Sequence, residues 1–141
     1  MSTTGYAGDI TLQQTWEMLE TRPDVHLLDV RTMAEWQWVG MPDLSSLAKQ
    51  PLMVEWMTFP GGQVNAQFLA QFEAQNPPKD HTYVCLCRSG GRSMLAAQLL
   101  TSAGYTNCYN ILHGFEGDKD GANHRNTTGG WRLAGLPWAQ G

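Results

Sequence analysis

Residues 87–93 read Cys-Arg-Ser-Gly-Gly-Arg-Ser, a thiol followed closely by two guanidiniums and two adjacent glycines. They continue an apolar, β-branched and aromatic run, Thr-Tyr-Val-Cys-Leu, at 82–86. Gly90 and Gly91 permit positive φ, so a loop here can curl until several backbone N–H groups point inward. A helix beginning near Arg92 would add its unpaired N-terminal N–H groups and the positive end of its dipole. Arg88 and Arg92 supply full charges. The expected result is an anion-binding bowl with Cys87 at its base. Positive charge and helix N-termini also favour the thiolate, the reactive form of a cysteine. Cys87 is therefore the candidate nucleophile, and Arg88, Ser89, Gly90, Gly91, Arg92 and Ser93 are the candidate substrate-binding residues. His81, six residues upstream, sits at the far end of the expected strand. Activation by the local field is thus expected rather than a Cys–His pair.

The elements that must position this loop alternate in type. Leu12, Trp16 and Leu19 recur at helical spacing over 11–21, with Thr11 as a candidate cap. Residues 25–30 form a short apolar run ending in an acidic residue, read as a buried strand. A short helix is expected over 32–39, a strand over 51–59, a helix over 65–75, the strand 82–87, a helix over 92–105 ending near Gly104, and a strand over 107–112. Strands alternating with helices of about ten residues indicate βαβ units and an α/β fold with a parallel sheet. Cys87 then lies at the carboxyl end of a strand and just before a helix, where such folds build their sites. Residues 114–130 are rich in Gly, Asn, Asp and Thr and read as a long surface loop. The segment after it, Arg-Leu-Ala-Gly-Leu-Pro-Trp, is expected to pack back onto the body.

Length and composition bound the rest. A chain of 141 residues fits one domain. With 42% hydrophobic and 16% charged residues it has a globular composition. The net charge of −4 and the lack of a basic stripe argue against a nucleic-acid partner. No apolar run reaches the roughly 18–20 residues that span a bilayer, and the N-terminus has no secretory pattern. Three cysteines at these positions do not describe a disulfide framework, which fits a cytoplasmic location. Cys85 shares a strand face with Cys87 and, like Cys108, is read as core. Asp29, Arg31 and Glu35 are read as an ion-pair set bracing the first strand–helix turn. Trp36, Trp38, Trp56, Met57 and Phe59 are read mainly as core, and His124 and Arg125 as part of a solvated loop.

The loop Cys87-Arg88-Ser89-Gly90-Gly91-Arg92-Ser93 resembles the active-site loop of the rhodanese family of sulfurtransferases. Two further motifs agree. Leu-Leu-Asp-Val-Arg-Thr-Met-Ala-Glu-Trp at 27–36 resembles the family's first signature, and Gly-Gly-Trp-Arg-Leu-Ala-Gly-Leu-Pro-Trp at 129–138 resembles its usual ending. The resemblance runs from about residue 9 to 138, leaving 1–8 as an N-terminal tail and 114–130 as a polar insert. The family's Gly-His-Ile-Pro-Gly-Ala stretch is replaced here by Val-Gly-Met-Pro-Asp-Leu-Ser-Ser-Leu at 39–47.

The resemblance implies a single domain with a parallel five-stranded sheet covered by helices on both faces. It also implies transfer of sulfane sulfur through a Cys87 persulfide, from an anionic donor such as thiosulfate to a thiol or cyanide acceptor, with no cofactor and no metal. Arg88 would meet the donor and Arg92 would lock the loop, by hydrogen bonds to a carboxylate. A sulfur-relay protein is a further candidate partner; a membrane is not expected. Two alternatives stand beside this reading. Rhodanese-like phosphatases and arsenate reductases use a similar loop one residue longer. Non-catalytic rhodanese-like binding modules generally lack the cysteine.

Overall fold

The computed structural model describes residues 5–57, 63–125 and 129–140. A five-stranded parallel sheet forms its centre, built from β1 (Gly8–Ile10), β2 (Val25–Asp29), β4 (Leu52–Met53), β5 (Thr82–Leu86) and β6 (Cys108–Ile111), in the spatial order β1-β6-β5-β2-β4. β5 is central and pairs on both sides, Leu28 with Cys85 and Cys85 with Asn110. Its five residues are all buried, so it reads as a continuous apolar run rather than an alternating one.

The pleat divides the core. Tyr83, Cys85 and Cys87 face a cluster with Phe68 and Phe72 of α3 (Phe68–Glu73) and Ala96, Ala97 and Leu100 of α4 (Gly91–Ser102). Val84 and Leu86 face the other cluster, with Leu12 and Leu19 of α1 (Leu12–Thr21), Leu44, Phe115 and Trp131. Cys85 and Cys87 thus share a face, as their i, i+2 spacing requires.

Local chemistry explains where the helices start. Thr11 caps α1 and Thr32 caps α2 (Met33–Trp38), each in a full capping box with Gln14 and Glu35 respectively. A second, antiparallel ribbon joins β3 (Met41–Pro42) to β7 (Trp138–Ala139), which returns the chain end to the body as expected from its sequence. Trp131 is fully buried and donates from Nε1 to the Pro137 carbonyl. No helix among the described residues is long and apolar enough to cross a membrane.

The structure differs from the sequence reading in three places. The strand expected over 51–59 is only Leu52–Met53. The chain then turns, and Met57 makes an isolated antiparallel bridge with Val64; Phe59 lies outside the described residues. Tyr6, in the stretch read as a tail, is buried, and Gly8 pairs with Tyr109. The insert does not begin as a surface loop. Gly114, Phe115 and Gly117 are buried, and the N–H groups of 115–117 bond to the carbonyls of Cys87 and Arg88. Exposure begins at Asp118.

That turn depends on Gly114. Its φ is +59°, and a Cβ there would overlap the Cys87 carbonyl oxygen and lie 2.6 Å from the Arg88 carbonyl carbon. Gly114→Ala is expected to destabilise the protein by on the order of 3 kcal/mol, read as a lower urea midpoint with an unchanged slope.

At the amino-terminal ends of β2 and β5, His26 Nε2 lies 2.9 Å from His81 Nδ1, and the His26 ring stacks on His81 and Tyr83. Burial, then the nearby positive charges of His81 and Lys49, hold the His26 imidazole below its usual value, against a smaller opposing pull from Asp24. A depressed folded-state value means that the unfolded chain binds the extra proton more readily. His26 therefore leaves stability intact above about pH 6.5 and erodes it as pH falls from there through its folded value. Urea midpoints measured between about pH 8 and pH 5 should fall, and His26→Gln should flatten that slope. An unchanged slope in the variant would remove His26 as the cause.

Candidate active site

Cys87 immediately follows β5, and its side chain continues the Tyr83, Cys85 face beneath α4. It is 1% exposed. The chain then reverses through Gly90, whose φ of 120° and ψ of −11° no other residue adopts at low cost. This conformation sends the Gly90 N–H back to Cys87 Sγ at 3.0 Å. The Ser93 hydroxyl, in the first turn of α4, lies 3.2 Å from the same sulfur. The strand, glycine turn and helix start are formed around Sγ, with one backbone N–H and the Ser93 hydroxyl beside it.

The two arginines diverge. Arg88 is exposed at the mouth of the loop. Arg92 turns inward and donates from Nη1 and Nη2 to the two Glu35 carboxylate oxygens, at 2.7 and 2.9 Å. Burial alone would raise the Glu35 carboxyl, but hydrogen bonds and charge from Arg92 outweigh it and hold the group below its usual range. Glu35 also accepts the Thr32 N–H in the α2 capping box. One carboxylate therefore fastens the start of α2 to the start of α4.

Asp29 and Arg31 form a separate, fully buried pair at the end of β2, with N–O distances down to 2.8 Å. Arg31 also donates to the Gly40 carbonyl and lies 4.2 Å over the Phe115 ring. Phe115 in turn donates its N–H to the Cys87 carbonyl at 2.8 Å. The bracing role read for Asp29, Arg31 and Glu35 is matched by these contacts, as two separate pairs rather than one set.

The remaining candidates sort by position. Burial pushes the Cys85 thiol well up, and the Cys108 thiol up to about 12; both are core thiols. His81 pairs with His26 at the other end of β5. Trp56 is buried edge-on against Phe68, in line with a core role, whereas Trp38 is 76% exposed and Trp36 half-buried, so neither of these is the core residue expected from the sequence. Arg125 donates to the Gly117 carbonyl, tying the insert to its own stem.

Two residues near the sulfur escaped the sequence reading. Asn110, on β6, and Asp9, on β1, connect to Ser93 by hydrogen bonds. The signal was available in part: Asn110 is a polar residue inside an otherwise buried strand, a position that requires a partner.

A strand-end thiol in a tight glycine loop on a parallel five-stranded sheet is the arrangement of the rhodanese-like proteins. The family model described as STR4 middle domain matches residues 7–141, and the chain belongs to that family, with a rhodanese-like fold. The crystal structure of Rv0390 from M. tuberculosis superposes with a TM-score of 0.88 at 51% identity, covering 96% of this chain and 99% of that one. An uncharacterized protein of Rickettsia rickettsii, the RP600 homolog, is 39% identical over 92% of this chain and 95% of its own length. The thiosulfate sulfurtransferase GlpE of Actinobacillus succinogenes is 26% identical over 92% of this chain and 87% of its own.

The Glu35 and Arg92 pair is partly shielded, with side chains 17% and 19% exposed. Glu35→Gln should cost about 2 kcal/mol of stability, because it leaves a half-buried guanidinium short of its counter-charge. The double variant Glu35→Gln with Arg92→Gln should lose less than the two single losses added together. Strict additivity in urea unfolding would show that the two side chains do not act as a unit.

Proposed function

We propose that this protein is a sulfurtransferase that carries sulfane sulfur on Cys87. The observation that carries the reading is the Gly90 N–H held against Cys87 Sγ at the start of α4. A backbone donor fixed there stabilises negative charge on the sulfur without reorganisation during the reaction. The likeness to a thiosulfate sulfurtransferase supports the same chemistry.

In the first step the Cys87 thiolate attacks the outer sulfur of thiosulfate. The new S–S bond forms as the sulfur–sulfur bond of thiosulfate breaks, and sulfite leaves with the bonding pair. Cys87 is left as an anionic persulfide. In the second step a thiolate or cyanide attacks the outer sulfur of that persulfide, and Cys87 departs as a thiolate. No net proton or electron is required in either step with cyanide as acceptor. Arg88, exposed at the loop mouth, meets the anionic donor. Arg92, engaged with Glu35, shapes the loop instead.

Residues 87–92 make a tight loop that suits a single sulfur atom better than a tetrahedral phosphoryl group. Its Gly90 N–H points at Sγ itself rather than at a ring of oxygens beyond it. This favours sulfur transfer over the phosphatase alternative.

Intact mass after brief exposure to thiosulfate should rise by one sulfur atom, mapped to Cys87. Cys87→Ser should lose both this adduct and thiocyanate formation with cyanide, while Cys85→Ala and Cys108→Ala keep them. Arg88→Ala should raise KM for thiosulfate by at least about tenfold, the loss of roughly one charge-assisted contact. A folded Cys87→Ser variant that still makes thiocyanate at the native rate would sink the persulfide route.

A further inference from the structure

Ser93 Oγ is surrounded by more acceptors than it can serve. Asn110 Oδ1 lies at 2.6 Å, Cys87 Sγ at 3.2 Å and the Gly90 carbonyl oxygen at 3.3 Å. A hydroxyl has one proton to give. Asp9 decides which acceptor receives it. Asn110 Nδ2 donates to Asp9 Oδ1 at 3.0 Å, and a carboxylate only accepts, so the amide nitrogen must face Asp9 and the amide oxygen must face Ser93. Tyr6 reinforces the choice, since its hydroxyl donates to the same Asp9 oxygen at 2.7 Å. Burial first, then Asp9, pushes the Tyr6 phenol up to about 12, so it stays a donor. The only proton available between Ser93 Oγ and Asn110 Oδ1 is then the serine's own. Ser93 consequently turns lone pairs, not a proton, toward Cys87.

We propose that Asp9 and Asn110 are positioning residues for the nucleophile: they hold the Ser93 hydroxyl proton away from Cys87, so that the sulfur is met by the Gly90 N–H without a side-chain donor. The inference rests on the reading of Cys87 as the nucleophile. Its chemical sense follows from thiolate reactivity. A donor on a thiolate makes it easier to form but a weaker nucleophile, with a Brønsted coefficient of about 0.4–0.5. Keeping Ser93 off the sulfur preserves its attacking power. Ser93 and Asn110 are 0% and 3% exposed, so water does not substitute freely for either contact, whereas Asp9 sits at the surface.

The test is the pH profile of Cys87 alkylation by iodoacetamide, followed by peptide mapping; it needs no sulfur donor. Asn110→Ala frees the serine proton, and Asp9→Asn frees the amide to turn over. Each variant should move the midpoint of the profile down by about one unit, the differential effect of roughly one hydrogen bond to a charged group. Each should also lower the high-pH plateau rate by about threefold. The other charged and titratable groups around the sulfur remain in place in Asn110→Ala: Arg88 and Cys85 on the same strand and loop, Arg92 with Glu35 from α4 and α2, Cys108 on β6, and Asp9 with Tyr6. Asp9→Asn also deletes a charge, so both variants are repeated on a Ser93→Ala background, where the hydroxyl effect must vanish and only the charge effect persists. Circular dichroism confirms folding, and Asp9→Asn, at an exposed position, serves where Asn110→Ala does not fold. Midpoints that do not move, or that move equally with Ser93→Ala present, overturn the inference. Persulfide formation is read separately on the same proteins. A shifted profile in a protein that takes no sulfur from thiosulfate upholds the positioning and defeats the sulfurtransferase reading; an invariant profile in a protein that does take it has the opposite meaning.

Discussion

Where β5 ends, the carbonyls of Cys87 and Arg88 leave the ladder and still need donors, and at the buried Cys87 an unpaired acceptor costs about 1–3 kcal/mol. The turn after β6 supplies them: Phe115 N–H to Cys87, and Glu116 and Gly117 N–H to Arg88. The carbonyls of that same turn are taken by Trp131 and Arg132 from the chain's last segment. A single stack of peptide groups therefore runs from the C-terminal segment, through the turn at 114–117, into the backbone that carries the thiol. It requires two close backbone approaches. Gly114 lies against Cys87 and Arg88, and Gly117 lies against Gly129 and Gly130, where a Cβ on Gly130 would come within 2.6 Å of the Gly117 nitrogen. The polar insert is clamped at its stems by that second crossing.

Charge is used twice around this stack, in different ways. Asp29 and Arg31 are wholly buried, an arrangement whose desolvation cost is offset only when further hydrogen bonds satisfy both groups. Arg31 meets much of that condition through Gly40 and the face of Phe115, and in doing so it seats the turn that holds Cys87. Glu35 and Arg92 are partly solvated and link two helix starts. The first pair fixes the floor of the site, and the second fixes the angle at which α4 leaves it.

How much of this was legible in the sequence depended on how local the cause was. The runs at 25–30 and 82–87 are apolar enough to be buried strands on their own evidence, and Thr11 and Thr32 carry the side chains that start α1 and α2. The thiol, the glycines and the arginines were legible together, because the loop they form is contiguous. β4 was overread, since only Leu52 and Met53 pair and Trp56 after them turns into the core. β1 is three residues long, too short for an alternation to register. The insert's first residues were read as solvated because their composition is polar and glycine-rich, yet those glycines are there to let backbones touch. Asn110 and Asp9 were missed for a related reason: their bond spans 101 positions, and neither residue has meaning until β1 and β6 are placed side by side.

The caps of the three long or site-forming helices give the last step. α1 and α2 each begin with a threonine and a reciprocal capping box, which satisfies their leading N–H groups from within. α4, the helix behind the thiol, has no side-chain cap at all. Its cap position is Gly90, which gives its N–H to sulfur and its carbonyl to Met94 N–H. A helix of 12 residues, Gly91–Ser102, tolerates that omission because Ala96, Ala97 and Leu100 anchor it in the core. The first turn is thereby left without an internal anion, beside the sulfur that the proposed reaction makes one. Leading N–H groups without a capping oxygen, aligned with the positive end of the helix dipole, are the feature by which helices hold anions. Capping α4 as its neighbours are capped would occupy the place where the proposed reaction puts negative charge, so under that proposal the stability forgone at Gly90 is the counterpart of N–H groups left for an anionic sulfur.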